Sequence, residues 1–129
     1  VCMVDDSEHE AFLAHRCYQK AEVPNPWLTF KSGEAFLEHM ELVRSGRSLV
    51  PAVVLMDINM PGLSGFDAVE RLRQQHEFRT IPVVMMLTNS MSDADRQRSA
   101  EVGAQRFQPK PLEIDTYIAF FRRLKAGTY

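Results

Sequence analysis

The sequence has few of the features that mark secreted or membrane-spanning proteins. Its 129 residues include only two cysteines, Cys2 and Cys17, so we expect reduced, buried thiols in a cytoplasmic protein. No apolar run approaches the roughly 20 residues that span a bilayer. No basic segment leads into a long apolar stretch at the N-terminus, which argues against a signal peptide. The chain begins at Val1 inside a predicted strand, which leaves room for more protein upstream.

The charge of the chain gives no general case for binding nucleic acid or an anionic membrane. Fifteen basic and 17 acidic residues leave a formal net charge of −2. The basic residues Arg122, Arg123 and Lys125 fall in the last predicted helix, where a solvated face near the C-terminus is the expected arrangement. The four histidines are scattered along the chain and lack the spacing of metal ligands.

Apolar runs and helical segments alternate along the whole chain. Strands are predicted at 1–4, 27–30, 52–56, 81–87 and 105–108. A helix is predicted after each strand; the first begins with Ser7 and Glu10 at capping-box spacing, and the fourth ends at Gly103. This alternation implies an α/β fold in which helices cover both faces of a parallel sheet. Without a linker, a repeat or a low-complexity stretch, residues 1–129 are predicted to form a single domain.

Polar side chains lie at the ends of four of the predicted strands. Strand one ends in Asp5 and Asp6, strand three in Asp57, strand four in Thr88, and strand five runs into Lys110. A parallel sheet places the carboxyl ends of its strands at one edge, where ligands bind in folds of this kind. We therefore expect three acids, one hydroxyl and one amine to form a site.

Three neighbouring carboxylates repel one another, so either one is protonated or a cation lies among them. Oxygen ligands in an irregular loop suit Mg²⁺, which usually takes one or two carboxylates together with water and a phosphate. One carboxylate is then free to act as a nucleophile, and a phosphoryl group is its expected electrophile. Lys110 and Thr88 would stabilise charge on the phosphoryl oxygens.

These residues, in this order, resemble the receiver domains of two-component response regulators. The matching residues are Val4-Asp5-Asp6, Leu55-Met56-Asp57-Ile58-Asn59-Met60-Pro61-Gly62, Gly65, Leu87-Thr88, Gly103-Ala104 and Lys110-Pro111. Each element alone is weak, but the ordered set is highly specific and spans nearly the whole chain. The resemblance implies a flavodoxin-like doubly wound sheet of five parallel strands in the order 2-1-3-4-5, with five helices.

The resemblance also implies a role for each site residue. Asp57 would accept phosphate from a sensor histidine kinase, and Thr88 and Lys110 would contact the phosphoryl group. Mg²⁺ would be held by Asp5, Asp6, the Asp57 carboxylate and the backbone carbonyl of Asn59. Such a receiver catalyses only its own phosphorylation and slow dephosphorylation, so it is not an enzyme acting on an external substrate.

Further expectations from the resemblance concern the switch and the partners. Phe107 occupies the family's switch position together with Thr88, although by itself Phe107 is more simply explained as a core side chain. The Lys110–Pro111 bond is expected to be cis. Asn89 replaces the small residue usual after Thr88 and is expected to crowd the phosphate. The segment Leu87-Thr88-Asn89-Ser90 resembles the single-domain regulators that accompany bacterial phytochromes, which suggests a bacteriophytochrome kinase as partner.

The last predicted helix suggests an interaction surface. Its apolar stripe Ile114–Ile118–Phe121 leaves Phe120 off the buried face. We therefore expect an exposed aromatic side chain there, which would mark an interaction surface. The resemblance implies association through the face formed by helix four, strand five and helix five, and we predict a homodimer through that face.

Two other functions compete with a phosphorylation switch. A hydrolase of the haloacid-dehalogenase type also uses an Asp nucleophile and Mg²⁺, but it needs a second acid two residues later, where this chain has Asn59. A receiver-like interaction module that no longer takes phosphate is disfavoured because all five site residues are present.

Overall fold

The computed structural model describes residues 1–129 as a parallel sheet between two layers of helices. In chain order the elements are β1 (Cys2–Val4), α1 (Glu8–Lys20), β2 (Leu28–Phe30), α2 (Gly33–Arg44), β3 (Val53–Asp57), α3 (Gly65–Gln74), β4 (Val83–Thr88), α4 (Asp93–Val102), β5 (Arg106–Pro109) and α5 (Ile114–Ala126), with a 3₁₀ turn at His76–Phe78. The five strands are parallel and adopt the order β2-β1-β3-β4-β5. The predicted fold class, strand order and number of helices are therefore confirmed.

The sheet register aligns the ends of the central strands. Val4 of β1 lies opposite Met56 of β3, so the next residues along these strands, Asp5 and Asp57, reach the same edge. Asp57 in turn lies opposite Leu87 of β4, one residue before Thr88. The carboxyl ends of β1, β3 and β4 therefore deliver their polar residues side by side.

Apolar side chains fill both sides of the sheet, which is why its central strands lack alternation in sequence. Along β3, Val54 and Met56 belong to a cluster of 17 buried residues beneath α2 and α3. Val53 and Leu55 belong to a second cluster of 13 buried residues beneath α1 and α5. Both cysteines are buried and unpaired, as predicted. No helix has the length and apolar character needed to cross a membrane.

Helix α4 is held to the sheet by little apolar burial. It buries only Ser99 and Val102, whereas α3, a helix of the same length, buries five residues. Its side chains also place two guanidinium groups over aromatic rings: Arg96 lies 5.1 Å from the ring centroid of Phe107, and Arg98 lies 5.3 Å from that of Phe66. Arg98 also pairs with Asp67 of α3 at 3.6 Å, where both side chains are half exposed. Such contacts contribute only about 0.5–1 kcal/mol each at exposed sites.

The predicted exposure of Phe120 is wrong. Phe120 is 3% exposed and packs against the rings of Tyr117 and Phe121, while Ile114, assigned to the buried stripe, is 49% exposed. The buried residues of α5 are Tyr117, Phe120, Phe121 and Leu124. This set has the i, i+3, i+4, i+7 spacing of one helical face, so the prediction chose a neighbouring stripe of the same helix.

The predicted cis bond between Lys110 and Pro111 is also wrong. The structure contains one cis peptide bond, and it joins Ile81 to Pro82 at the start of β4. An X–Pro bond prefers the trans form by about 0.5–1 kcal/mol, so Lys110–Pro111 has the isomer that the bond itself favours.

Candidate functional site

Three carboxylates meet at the carboxyl edge of the sheet. Oxygens of Asp5, Asp6 and Asp57 all lie within 4.8 Å of one another. Asp5 is 2% exposed and Asp57 is 6% exposed, while Asp6 faces solvent. Two of these acids are therefore buried at the ends of β1 and β3, and the third closes the group on the solvent side.

A close approach between α3 and β3 fixes the position of Asp57. A Cβ atom on Gly65 would overlap the backbone oxygen of Asp57 and lie 3.0 Å from its carbonyl carbon, so only glycine fits at the first residue of α3. The N–H of Gly65 donates to the backbone oxygen of Ile58 at 3.0 Å. Within the same loop, the backbone N–H of Asn59 donates to Asp57 Oδ1 at 3.3 Å. The loop thus holds the Asp57 carboxylate from its own backbone.

The amine of Lys110 lies among the acids. Its Nζ is 2.7 Å from Glu10 Oε2, 3.1 Å from Asp5 Oδ2 and 3.4 Å from Asp57 Oδ2. The Lys110 side chain is only 6% exposed. The backbone N–H of Lys110 donates to the backbone oxygen of Thr88 at 2.8 Å, which ties the loop after β5 to the end of β4. Lys110 is therefore a buried cation that partly compensates the buried carboxylates.

The environment shifts the titration of the three buried groups. Burial raises the pKa of Asp57 to about 6; Lys110 opposes this rise, while the charge of Asp5 adds to it. Burial likewise raises the pKa of Asp5, against the hydrogen bond from Ser7 and the charge of Lys110. For Lys110, burial lowers the pKa, but the hydrogen bond to Glu10 and the attraction of Asp57 and Asp5 outweigh it and leave the pKa raised. The site therefore carries excess negative charge that a further cation would relieve.

Thr88 does not contact the acids in this structure. Its hydroxyl donates to the backbone oxygen of Ser90 at 2.7 Å and accepts from the N–H of Ser90 at 3.1 Å. The side chain is fully buried and holds its own loop together. Asn89, the next residue, is exposed to solvent at this edge.

Phe107 lies partly buried on β5, beneath α4. Its ring packs against the cluster under α2 and α3, and the guanidinium of Arg96 lies over its outer face. The ring therefore serves as part of the core and as a contact point for α4.

Glu10 is the site residue that the sequence interpretation assigned to a different role. The predicted capping box is half correct: Ser7 Oγ accepts from the backbone N–H of Glu10 at 3.2 Å. The reciprocal bond is absent, because the N–H of Ser7 donates to Asp5 Oδ1 at 2.9 Å and the Glu10 carboxylate accepts from Lys110.

A signal for Glu10 existed in the sequence. The buried residues of α1 include Ala14 and Cys17, which lie four and seven positions after Glu10. Residues with this spacing share one helical face, so the buried face of α1 continues through Glu10 toward the carboxyl edge of the sheet. An acid on that face needs a cation beneath it, and the lysine after β5 provides one.

Comparison with known proteins agrees with this architecture. The sequence family described as the response regulator receiver domain matches residues 1–122 of this chain. The chain is 32% identical over 124 residues to the DNA-binding transcriptional regulator NtrC of Escherichia coli (strain K12); the match covers 95% of this chain and 24% of NtrC. The chain thus spans about a quarter of that relative.

Solved structures extend the similarity to the three-dimensional level. The response regulator RPA3017, in red light signalling of R. palustris, is similar with a TM-score of 0.83 and 26% identity, covering 95% of this chain and 89% of that chain. The bacteriophytochrome response regulator AtBRR is similar with a TM-score of 0.76 and 27% identity, covering 99% and 91% of the two chains. The resemblance noted in the sequence is thereby confirmed, and this chain belongs to the family of response regulator receiver domains of two-component systems.

Proposed function

We propose that the chain is a phosphoacceptor switch in which Asp57 takes a phosphoryl group from a sensor histidine kinase. The observation that carries this proposal is the grouping of Asp57 with Asp5, Asp6 and the amine of Lys110 at one edge of the sheet. A fold gains no stability from gathering buried like charges, so the grouping indicates a site for chemistry.

The reaction transfers a phosphoryl group from a histidine nitrogen to a carboxylate oxygen. A carboxylate oxygen of Asp57 attacks the phosphorus of a phosphohistidine, a P–O bond forms, and the P–N bond breaks. The electron pair of the P–N bond returns to the imidazole, which leaves as the neutral ring when its other nitrogen carries a proton. Lys110, 3.4 Å from Asp57 in the resting state, is placed to stabilise negative charge on the transferred group.

The donor set at this edge fits Mg²⁺. Asp5, Asp6, the Asp57 carboxylate and the backbone carbonyl of Asn59 would hold the ion, since Mg²⁺ prefers oxygen ligands and tolerates retained waters. When bound, Mg²⁺ supplies positive charge that neutralises the phosphoryl oxygens and the acids around them. The raised pKa of Asp57 supports this fit, because it reports the uncompensated negative charge and burial that a divalent cation offsets.

Phosphorylation is proposed to move the contacts that hold α4. The Thr88 hydroxyl would leave Ser90 and donate to the phosphoryl group, and the loop after β4 would move with it. Phe107 would then turn further inward, which breaks its contact with Arg96. Since α4 buries so little, these two changes are sufficient to shift its position.

The partners proposed for the switch derive from the same surface and from the relatives. A bacteriophytochrome is the proposed kinase class, supported by the similarity to AtBRR and RPA3017. The face formed by α4, β5 and α5 is proposed as the output surface and as a homodimer interface. The sequence suggested an exposed Phe120 as part of this interface, but Phe120 is buried. The proposal therefore rests on α4, which is exposed and weakly attached. No role in nucleic-acid binding is proposed for this domain.

The experiment that tests the function is labelling with a small phosphodonor. Acetyl phosphate with Mg²⁺ is expected to label the native chain, with the label removed by hydroxylamine as for an acyl phosphate. Asp57→Asn is expected to abolish labelling, whereas Asp93→Asn, an exposed acid at the start of α4, is expected to label normally. Stable labelling of the Asp57→Asn variant at another residue would overturn the proposal.

A further inference from the structure

The amine of Lys110 has three acidic neighbours but only two hydrogen bonds to them. It donates to Glu10 Oε2 at 2.7 Å and to Asp5 Oδ2 at 3.1 Å. Its contact with Asp57, at 3.4 Å, is an ion pair without a hydrogen bond. In the resting structure the amine is therefore directed toward α1 and β1 and away from the proposed phosphorylation site.

The two hydrogen-bond partners of Lys110 differ in how firmly they are held. The Asp5 side chain is 1% exposed, and its other oxygen accepts from the backbone N–H of Ser7 at 2.9 Å. The Glu10 side chain is 40% exposed, and Lys110 is the cation that pairs with its carboxylate. Detaching Asp5 would bury an unpaired charge, whereas detaching Glu10 transfers a carboxylate to water.

An aspartyl phosphate on Asp57 would present new anionic oxygens to the same amine. An ammonium group has three donors, and two of them are already engaged in charge-assisted bonds. The third donor makes no hydrogen bond to Asp57 across the 3.4 Å that separate the two groups, so Lys110 turns toward β3 to direct a donor at the phosphoryl oxygens with good geometry. That turn carries the amine away from α1 and β1 and costs it one of its two present partners. Glu10, the more exposed of the two partners, is the one that it loses at the lowest cost.

We propose that Glu10 is a positioning residue that holds Lys110 in a resting orientation and that the phosphoryl group on Asp57 displaces it. This inference rests on the proposed function of Asp57. Glu10 thereby competes with the phosphoryl group for Lys110 and lowers the affinity of the site for phosphate analogues. It also supplies a negative charge that opposes the arrival of an anionic donor.

The role of Glu10 is separable from the folding of α1. Helix α1 begins with Ser7 as its N-cap, and that bond is made by the backbone N–H of Glu10, which no side-chain substitution removes. Glu8 offers a matched control on the same turn of α1. It is 74% exposed and pairs with Lys31, so its neutralisation removes the same charge without touching Lys110.

The test uses three variants: Glu10→Gln, Glu10→Asp and Glu8→Gln. Binding of beryllofluoride, an analogue of the phosphoryl group, is measured by calorimetry at saturating Mg²⁺, and labelling rates are measured at several acetyl phosphate concentrations. Glu10→Gln is expected to bind beryllofluoride about fivefold more tightly, as loss of a competing ion pair of ~1 kcal/mol predicts. Glu8→Gln is expected to stay within about twofold of the native chain, because it lies outside the contact.

Two further readouts separate competition from a general effect of charge or structure. Glu10→Asp keeps the charge but is one methylene too short to reach Lys110, so it is expected to resemble Glu10→Gln. Titration with Mg²⁺ alone is expected to show no gain in affinity in Glu10→Gln, in contrast to the tighter binding of beryllofluoride. A purely structural role would lower the affinity for both ligands together.

The outcomes distinguish this inference from the function on which it rests. If the native chain neither labels nor binds beryllofluoride, the phosphoacceptor function itself fails. If the native chain does both, and Glu10→Gln and Glu10→Asp bind beryllofluoride no more tightly than it does, the displacement of Glu10 is wrong and the function of Asp57 stands.

Discussion

The position that a Cβ atom on Gly65 would occupy overlaps the backbone oxygen of Asp57 and lies 3.0 Å from its carbonyl carbon. The proposed phosphoacceptor and the first turn of α3 are therefore in direct backbone contact, eight residues apart in sequence. Neither partner in this contact is a flexible side chain, so an added methyl group can be accommodated only if the loop or the helix moves.

Gly65→Ala is expected to destabilise the fold by about 2–4 kcal/mol and to displace the Asp57 loop, because the clash is with backbone. Chemical unfolding measures the first effect, and labelling by acetyl phosphate measures the second. Gly46→Ala is the control, because Gly46 has a φ of +80° but nothing lies within 4 Å of its Cβ position. This substitution should lower the free energy of unfolding by only about 1 kcal/mol and leave labelling intact. Equal effects of the two substitutions would contradict the close approach.

The titration of Asp57 predicts a pH dependence of stability in the metal-free protein. Its pKa is raised to about 6 in the folded state from 3.8 in the unfolded state. Below about pH 3 both states hold the proton, so the protonated folded state contributes its full stability there, and this contribution is lost as pH rises through 6. The decrease in the free energy of unfolding attributable to Asp57 is at most about 3 kcal/mol.

Asp57→Asn is therefore expected to be more stable than the native chain at pH 7 in a chelator and to show a flatter stability profile between about pH 4 and 6.5. Denaturant unfolding at a series of pH values measures this slope. Added Mg²⁺ is expected to narrow the difference between the two proteins, because it stabilises the ionised acids of the native chain. An unchanged slope in the variant would show that a group other than Asp57 is responsible for it.

Removal of the Lys110 amine is expected to destabilise the metal-free protein and to make its stability depend on added Mg²⁺. Lys110→Ala leaves Asp5 and Asp57 buried without their cation, at a cost of about 3 kcal/mol in a chelator. Mg²⁺ is expected to recover most of that loss, as shown by thermal unfolding with and without the ion.

The matched control for this charge removal is Lys31→Ala. Lys31 pairs with Glu8 where both side chains are about three-quarters exposed, so its loss should change stability by less than about 1 kcal/mol.

Phosphorylated Lys110→Ala is further expected to retain Mg²⁺ but to leave α4 in its resting position. A native-like change in the NMR spectrum of α4 upon phosphorylation of that variant would count against this role.

Arg73 is expected to be the basic residue that contributes most to stability away from the site. Its guanidinium donates to the backbone oxygens of Gly103, Phe78 and Pro82 and to the side chain of Gln105. Arg73→Ala removes these four hydrogen bonds, of whose acceptors Gln105 Oε1 keeps a second donor in the N–H of Val84, and it is expected to cost about 2–3 kcal/mol. The exposed Arg71 on the same helix is the control, and Arg71→Ala should change the free energy of unfolding by less than about 0.5 kcal/mol.

The sequence was sufficient to predict the sheet and the acids at its edge, because both depend on local patterns. An apolar run that ends in Asp57, or in Asp5 and Asp6, marks the carboxyl end of a buried strand and the acids placed there. The order of the strands came from the family resemblance, since periodicity alone does not say which strands are neighbours.

The errors arose where several arrangements satisfy the same pattern. Helix α5 has apolar residues on two adjoining stripes, and only packing against α1 and the sheet determines that Phe120 is inside and Ile114 outside. Glu10 was assigned to a capping box because its spacing from Ser7 is local, whereas its partner Lys110 is 100 residues away.

The sparse burial beneath α4 has a consequence for how the molecule opens. A helix anchored by Val102, Ser99, two arginine–ring contacts and one half-exposed ion pair has little free energy holding it closed, so local opening there precedes global unfolding. The amide protons of α4 are therefore expected to exchange with solvent faster than those of α3, whose five buried residues protect it. The resting chain would thus already sample, briefly and without any ligand, an ensemble in which α4 is detached from the sheet.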